Sequence, residues 1–138
     1  MSNIVSAAPS VLDPYRWHNR LLMIFTPNLE NSELKSLLSQ VKQDQCAFKE
    51  RDLVMGLIVR NGTSQIGDTA LSPTSTKDIR QFFSVEEREF STILIGKDGY
   101  EKLRFTRAPN LKQVFSTIDQ MPMRRQEMLH AQSPCEAN

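Results

Sequence analysis

A pair of short, uninterrupted apolar runs constrains the fold of this chain more than any other feature. The first is RLLMIFT, residues 20–26, and the second is LVMGLIV, residues 53–59. Both have the usual length of a strand and fall far below the roughly 20 residues that span a bilayer. Because neither run alternates between apolar and polar residues, each is typical of a strand buried on both faces of a sheet.

The stretch between the two runs has the periodicity of an amphipathic helix. Its apolar residues recur at i, i+3, i+4 and i+7 and therefore share one face. These residues are Leu34, Leu37, Leu38 and Val41. Asn31 or Ser32 can cap the helix, and Glu33 lies in the first turn, where negative charge is favourable. The sequence thus predicts a strand, a helix and a second strand.

The second half of the chain predicts two more helices and two more strands. Segment 61–74 is rich in Gly, Ser, Thr and Pro and is predicted to be a loop. STKDIRQFF, residues 75–83, opens with a Ser-x-x-Asp cap and is predicted to be a short helix. Residues 90–96 and 101–107 are predicted strands joined by the tight turn KDGY, and a closing helix begins at Asn110.

This order of elements, β-α-β-α-β-β-α, predicts an α/β protein with the thioredoxin-like arrangement. Its central mixed sheet of about four strands is flanked by helices, with a parallel pair from the βα units and an antiparallel hairpin at one edge. A different α/β sandwich of similar order is the alternative. We expect one thioredoxin-like domain over residues 14–131, a flexible N-terminal segment over 1–13 and a flexible C-terminal tail over 132–138.

The charge balance and the N-terminus limit the partners and the location. Lys and Arg number 17 and Asp and Glu number 16, and the net charge of +1 gives no general attraction to nucleic acid or to an acidic membrane. We therefore expect no nucleic acid and no membrane partner, and favour a protein partner of unknown identity. The N-terminus lacks a basic region followed by an apolar core, which predicts a cytoplasmic protein. A trimmed signal peptide would make it periplasmic or secreted.

Metal and cofactor chemistry find no support in the motifs. The two histidines are His18 and His130, and neither has a metal-ligand spacing with Cys, Asp or Glu. The glycines of IGKDGYEK precede a strand, whereas a phosphate-binding loop precedes a helix. We expect no metal, no cofactor and no catalytic residue. A histidine–carboxylate pair assembled by the fold is the open alternative.

A redox role is the obvious hypothesis for this fold, and the residues oppose it. Thiol enzymes with this fold carry a reactive cysteine where the first strand meets the following helix, because the helix N-terminus lowers the pKa of the thiol. Here the junction is FTPNLENSE, which resembles the peroxiredoxin stretch Phe-Thr-Pro-x-Cys but has Leu29 at the cysteine position. The chain has no Cys-x-x-Cys, and EREFSTI lacks the cis-proline that precedes the third strand in such enzymes.

The two cysteines, Cys46 and Cys135, are too few for a disulfide framework and predict a reduced, intracellular protein. Neither is predicted to lie at a helix N-terminus, so we expect ordinary thiols with a pKa near 8.5. Cys46 is interpreted as a small apolar filler or a half-exposed thiol. The alternative is a degenerate peroxiredoxin-like thiol enzyme or peroxidase that uses Cys46.

A proline interrupts the predicted closing helix within DQMPMRRQEM. Because proline lacks an N–H and disfavours helix at the residue before it, one segment should end there and Pro122 should begin another. Asp119 can then accept hydrogen bonds from the freed backbone N–H groups, and Arg124 or Arg125 can pair with a carboxylate. We favour a structural joint, and the alternative is a site for an anion or a partner's carboxylate. The candidate binding residues are Asp119, Arg124, Arg125 and Thr26, the last at the end of the first strand.

The segment PYRWHNR brings an aromatic pair to the start of the first strand. We predict that Trp17 packs on the domain and pins the N-terminal segment, because a buried indole removes a large apolar area from water. An exposed platform for a ligand is the alternative.

Four segments carry a resemblance that spans about residues 12–129: YRWHNRLLMIF, MGLIV, ILIGKDGYEKLRF and IDQMPMRRQEM. The chain resembles a thioredoxin-like family of unknown function that includes bacterial proteins and domains of the vertebrate sushi-repeat X-linked proteins, Equarin and the coiled-coil-domain protein down-regulated by oncogenes. The resemblance implies a bacterial protein with a peroxiredoxin-related fold but without cysteine chemistry. Because the animal relatives are associated with extracellular matrix, it also implies a non-enzymatic binding or interaction module. It implies no particular substrate.

Overall fold

The structure, a computed structural model, describes residues 8–130 and Cys135. Its strands are β1 (Arg20–Thr26), β2 (Leu53–Val59), β3 (Gln65–Ile66), β4 (Thr69–Ala70), β5 (Ser91–Ile95) and β6 (Glu101–Phe105). Its helices are α1 (Ser32–Gln43), α2 (Gln45–Glu50), α3 (Pro73–Phe83), α4 (Leu111–Asp119) and α5 (Pro122–His130), preceded by a 3-10 helix over Ser10–Tyr15. Among the described residues, no helix combines the length and the apolar character that crossing a membrane requires.

The described strands form one six-stranded sheet in the order β4-β3-β2-β1-β5-β6. β1 and β2 run parallel, with Arg20 opposite Leu53 and Thr26 opposite Val59. The other neighbouring pairs are antiparallel. The predicted mixed α/β architecture is confirmed, but the sheet has six strands rather than about four.

β1 lies at the centre of the sheet, and all of its residues are buried. Successive side chains of a strand point to opposite faces, so β1 contributes to two cores. Leu22 and Ile24 pack with apolar residues of α1 and α4 on one face, and Met23 and Phe25 pack with those of α3 on the other. The unbroken apolar run in the sequence reflects this burial on both sides.

The predicted loop over 61–74 contains the short hairpin of β3 and β4. Gly67 turns this hairpin with a φ of +56°, a conformation that glycine adopts without the steric cost of a Cβ. Strands of two residues carry no detectable alternation, so their pattern does not predict them. α3 also begins within this segment, because Ser72 caps it by accepting a hydrogen bond from the Ser75 N–H at 3.1 Å.

The prediction that Trp17 packs on the domain is wrong, since its side chain is 58% exposed. The Trp17 backbone has a φ of +68°, and its N–H donates a hydrogen bond to the Lys97 carbonyl at 2.6 Å. The Arg16 guanidinium lies 5.8 Å from the centre of the indole ring. Buried Leu12 and half-buried Tyr15 hold this part of the chain on the sheet instead.

The predicted break in the closing helix is confirmed, because α4 ends at Asp119 and α5 begins at Pro122. The Met121 N–H donates to the Ile118 carbonyl at 2.9 Å, and the Met121 carbonyl accepts from the Arg125 N–H at the same distance. Met121 itself packs at the edge of the core that α4 covers. The two helices are therefore separate elements joined by a tight turn.

Cys46 and Cys135 form a disulfide, so the expectation of two reduced thiols is wrong. Cys46 is the second residue of α2, a helix that the sequence did not predict, and the expectation that it lies away from a helix N-terminus is also wrong. The disulfide joins residues 89 positions apart. Two isolated cysteines at such a separation give no pattern from which a pairing can be predicted.

The predicted flexible termini lie largely outside the described residues. This holds for residues 1–7 of the N-terminal segment and for 132–134 and 136–138 of the tail. Of the remainder, the 3-10 helix includes Ser10 to Asp13, and Cys135 is bonded to Cys46 of α2.

Removing the disulfide should destabilise the protein. A Cys46→Ser, Cys135→Ser double variant is expected to lose about 2–4 kcal/mol in free energy of unfolding, because the unfolded chain regains the freedom that a long closed loop denies it. Urea unfolding followed by circular dichroism measures the loss. Addition of a reductant should lower the midpoint of the parent protein and leave that of the variant unchanged. Two titratable thiols in the native, unreduced protein would contradict the disulfide.

Candidate functional site

The junction between β1 and α1 is the place where thiol enzymes of similar architecture carry their nucleophile. Thr26 is fully buried at the end of β1, and its hydroxyl donates to the Asn28 carbonyl at 2.8 Å. The Asn28 side chain in turn accepts from the Glu30 N–H at 3.1 Å. Leu29, at the tip of this turn, is 50% exposed. The turn is closed by its own hydrogen bonds and presents an aliphatic side chain where a thiol would be needed.

The start of α1 is occupied by the chain itself. Asn31, one of the two caps that the sequence predicted, accepts a hydrogen bond from the Leu34 N–H at 3.1 Å. The Glu33 carboxylate accepts from the Ala108 N–H at 2.7 Å and ties the first turn of α1 to the segment before α4. The described residues of this junction include no thiol, and the Glu33 carboxylate is engaged by the backbone.

Asp119 and Arg124, two of the remaining predicted site residues, contact Arg51 and Glu50 at the opposite end of the sheet. Arg20 begins β1, Asp52 precedes β2, and Lys97 follows the antiparallel strand β5. These positions meet at one sheet edge, and a strand as long as β1 puts roughly 20 Å between that edge and Thr26. The structure thus separates Thr26 from the other candidates, Asp119, Arg124 and Arg125.

We call the side chains that meet at this edge the charged cluster. They are Arg20, Glu50, Arg51, Asp52, Lys97, Asp119, Arg124 and Glu127. Arg124, only 3% exposed, lies at its centre. Its Nε donates to Asp119 Oδ1 at 3.0 Å, and its Nη1 and Nη2 donate to the Glu50 carbonyl at 2.9 Å and the Glu50 carboxylate at 3.2 Å. The predicted pairing of an arginine with a carboxylate is confirmed for Arg124.

Asp119 does not cap α5 as predicted. Its two carboxylate oxygens accept from Arg51 Nε at 3.1 Å and Nη2 at 2.9 Å, in addition to Arg124. The Arg51 guanidinium also lies 4.7 Å from the centre of the Phe115 ring, a cation–π distance. Arg125 is exposed, so the structure brings Asp119 and Arg124 together and leaves Arg125 outside.

Glu127 connects α5 to the strands. Its carboxylate accepts both arms of the Arg20 guanidinium, at 3.0 and 3.1 Å, and the Lys97 Nζ at 2.7 Å. Lys97 Nζ also donates to Asp52 at 2.9 Å. Sequence reasoning missed Arg20, Arg51, Lys97 and Glu127, because up to 107 positions separate the partners. The one usable signal was the placement of Arg20 and Lys97 at the ends of apolar runs.

The electrostatics of the cluster favour ionised carboxylates. Burial raises the pKa of Asp119, but the hydrogen bonds from Arg51 and Arg124 outweigh burial and hold it below its usual value. In the same way, burial raises the pKa of Glu127, and the hydrogen bonds from Arg20 and Lys97 lower it further than burial raises it. A lowered pKa lies further from neutral pH, where general acid–base catalysis is most efficient. The cluster serves to join the helices to the strands, which favours the joint over the site.

Removal of Arg124 should reveal how much this joint contributes. Arg124→Ala removes the ion pairs to Asp119 and Glu50, for which, among the described residues, only Arg51 then remains, and is expected to cost about 3 kcal/mol in free energy of unfolding, the low end for a broken buried pair. Arg124→Lys restores charge without the fork and should recover part of the loss. Denaturant unfolding measures both variants. Arg125→Ala is the matched control and should stay within about 0.5 kcal/mol of the parent; equal behaviour of all three variants would argue against the joint.

Acid should weaken the cluster. Because the pKa values of Asp119 and Glu127 are lower in the folded than in the unfolded chain, their stabilisation is fully present above the unfolded values near 4 and is lost as pH falls through the folded values. Glu127→Gln should therefore be less stable than the parent at pH 7, and the difference should disappear as pH falls through the lowered folded-state pKa of Glu127. Thermal unfolding across this range measures it. Exposed Asp68→Asn is the control, and a gap that persists in acid would refute the role of ionised Glu127.

Possible metal ligands are not grouped in the part of the chain that the structure describes. Within 8–130 and 135, no three His, Cys, Asp or Glu side chains are grouped as a metal ion requires. His18 and His130 are both exposed.

Solved structures with a similar fold are peroxiredoxins. The reduced 2-Cys peroxiredoxin of Plasmodium vivax matches with a TM-score of 0.59 and 16% sequence identity, over 83% of this chain and 84% of that chain. Thioredoxin peroxidase I of Plasmodium yoelii matches with a TM-score of 0.57 and 17% identity, over 92% of this chain and 85% of that chain. At this level of identity the likeness shows the fold alone. The predicted thioredoxin-like fold is confirmed.

Curated relatives of this chain include vertebrate proteins that are much longer. Coiled-coil domain-containing protein 80 of Danio rerio is 29% identical over 88% of this chain and 16% of its own length. Sushi repeat-containing proteins SRPX2 and SRPX of Homo sapiens are 26% and 27% identical, over 90% and 91% of this chain and 27% and 28% of their own lengths. The chain thus spans less than a third of these relatives, and they give no support to the expected bacterial source.

The predicted resemblance to sushi-repeat and coiled-coil-domain proteins is confirmed by these matches. A single family model covers nearly the whole fold, from residue 11 to residue 127. The chain therefore belongs to the family described as "Domain of unknown function (DUF4174)".

Proposed function

We propose that this chain is a non-enzymatic interaction module with a thioredoxin-like fold, formed by one domain over residues 14–131, that binds a protein partner. The observation that carries the proposal is the half-exposed Leu29 at the position of the reactive cysteine. Peroxide reduction by this fold needs a thiolate at the start of α1, and the hydrogen-bonded turn there supplies none.

The interaction surface in this proposal is the turn around Leu29. An exposed leucine on a turn held by hydrogen bonds keeps its shape on binding, so little conformational freedom is lost. The relatives support a binding role, because the matching region occupies only 16%, 27% and 28% of three larger proteins. Two of these proteins are named for their sushi repeats. A small module within a long multi-part protein is typical of a recognition unit.

The proposal includes an oxidising compartment. The disulfide between Cys46 and Cys135 favours a periplasmic or secreted protein over the cytoplasmic one that the N-terminus suggested, because cytosolic thiols are kept reduced. The competing function is a thiol peroxidase that uses Cys46 after reduction, since a cysteine near a helix N-terminus has a lowered pKa.

Peroxide consumption in the presence of a thiol reductant separates the two functions. The parent protein, Cys46→Ser and Cys135→Ser are all expected to match the reaction without protein, while a 2-Cys peroxiredoxin serves as the positive control. Turnover that disappears in Cys46→Ser and survives in Cys135→Ser would replace the interaction module with the peroxidase.

The binding arm of the experiment uses a matched pair of leucines. Retention of the labelled protein on extracellular proteins of its source should fall at least about tenfold in Leu29→Asp, because a charge would enter the apolar contact. Leu129 on α5 is 74% exposed, and Leu129→Asp is the control. Equal retention of both variants would remove the turn around Leu29 from the interface.

A further inference from the structure

Two adjoining clefts lie on the face of the sheet that α3 covers. One has a volume of about 580 Å³ and runs along the end of α3 and the turn after it. The other has a volume of about 350 Å³ and lies between α3 and the segment that follows β2. Lys77, Arg80 and Glu87 line both. The clefts open near the carboxyl ends of β1 and β2, the edge at which open α/β sheets bind their ligands.

Arg80 has an unusual position for a buried cation. It is 7% exposed, and its guanidinium lies 5.8 Å from the centre of the Phe25 ring. Nη1 donates to the Glu86 carbonyl at 3.2 Å, whereas Nη2 is shielded from solvent and has no hydrogen-bond partner among the described residues. An unpaired buried N–H on a charged group is costly, so an acceptor that reached it would be bound favourably.

Among the residues that the structure describes, Arg80 differs from the other buried cations in its lack of a carboxylate partner. Arg20, Lys97 and Arg124 each form an ion pair with at least one carboxylate of the charged cluster. Within the described residues, Arg80 has no carboxylate at ion-pair distance. Burial accordingly lowers the pKa of Arg80, which the more distant Glu87 and Glu89 only partly offset.

The walls of the clefts carry an excess of positive charge. Arg60, Lys77, Arg80 and Arg88 line them, against the carboxylates of Glu86 and Glu87. Arg60 and Glu87 contact each other at 4.0 Å, and the Glu87 side chain is 70% exposed. An exposed, stretched pair of this kind is weak, so Glu87 can give way to a stronger anion.

We propose that Arg80 anchors a binding site for a tetrahedral oxyanion, the phosphate or sulfate group of a small anionic molecule, with Lys77 and Arg60 as flanking cations. The planar guanidinium of arginine matches oxyanions with two parallel hydrogen bonds. Nη2 is shielded in the unliganded chain, so binding includes a rotation of the guanidinium toward the cleft. The cleft volumes fall within the usual range of small-molecule sites. This site lies beyond the proposed protein contact at Leu29 and does not depend on it.

Nuclear magnetic resonance of the ¹⁵N-labelled protein tests the site with inorganic phosphate or sulfate as the probe. Ionic strength is held constant with sodium chloride, and acetate is titrated in parallel. We expect saturable shifts of the amides of Ser64, Lys77 and Ser84 and of Arg80 Nε with phosphate or sulfate. Absence of saturation in the parent protein, or equally tight binding of acetate, would overturn the assignment.

Variants locate the anchor. Arg80→Lys keeps the charge without the fork and should weaken binding by about tenfold, as should Lys77→Gln, which removes an exposed flanking cation and spares the core. Exposed Lys112→Gln lies on α4, across the sheet, and should bind like the parent. Unchanged affinity in both Arg80→Lys and Lys77→Gln, or an equal loss in Lys112→Gln, would refute the site. The dispersion of the spectra shows whether each variant is folded.

Discussion

Burial of β1 on both faces is the constraint on which the rest of the structure depends. The strand pairs in parallel with β2 and antiparallel with β5, so it fixes the direction of both neighbours. Its alternating side chains supply the two cores that hold α1 and α4 on one face and α3 on the other. Because the same strand begins at Arg20 and ends at Thr26, it also sets the distance between the charged cluster and the turn around Leu29. The strand directions, the two cores and the distance between the two surface regions therefore all depend on β1.

The charged cluster pairs the cation that the burial of β1 removes from water. Arg20 begins a strand whose residues are all buried, and an unpaired guanidinium there would be strongly destabilising. Glu127 binds it with two hydrogen bonds, and that glutamate lies on α5, the helix that begins at Pro122. The break at the proline separates α5 from α4, and charges of α5 meet the strand ends. The segment DQMPMRRQEM thus contains both the proline that separates α4 from α5 and Arg124, whose ion pairs hold the two helices together with the residues before β2.

The sequence predicted the elements whose pattern is local and missed those whose partners are distant. β1 and β2 were predicted to the residue, because long burial leaves an unbroken apolar run. β3 and β4 were missed, since two residues cannot show a period, and α2 lacks an apolar face of useful length. The exposure of Trp17 depends on its positive φ and a hydrogen bond to Lys97, neither of which its neighbours in the sequence reveal. The pairs Cys46–Cys135 and Arg20–Glu127 join distant segments, so no spacing rule finds them.

The two ends of the sheet differ in how far their side chains find partners within the chain. At the amino end of β1, ion pairs tie helices to strands, and each buried cation there has a carboxylate partner, although Arg20 Nε makes no hydrogen bond among the described residues. At the carboxyl end, Leu29 is half exposed and Arg80 lacks a carboxylate partner among the described residues. Groups that are satisfied stabilise, whereas groups that are not satisfied are the ones with free energy to gain from a ligand. The proposed contact at Leu29 and the proposed anion site at Arg80 both lie at the carboxyl end for this reason, since the fold leaves part of each side chain there without a partner among the described residues.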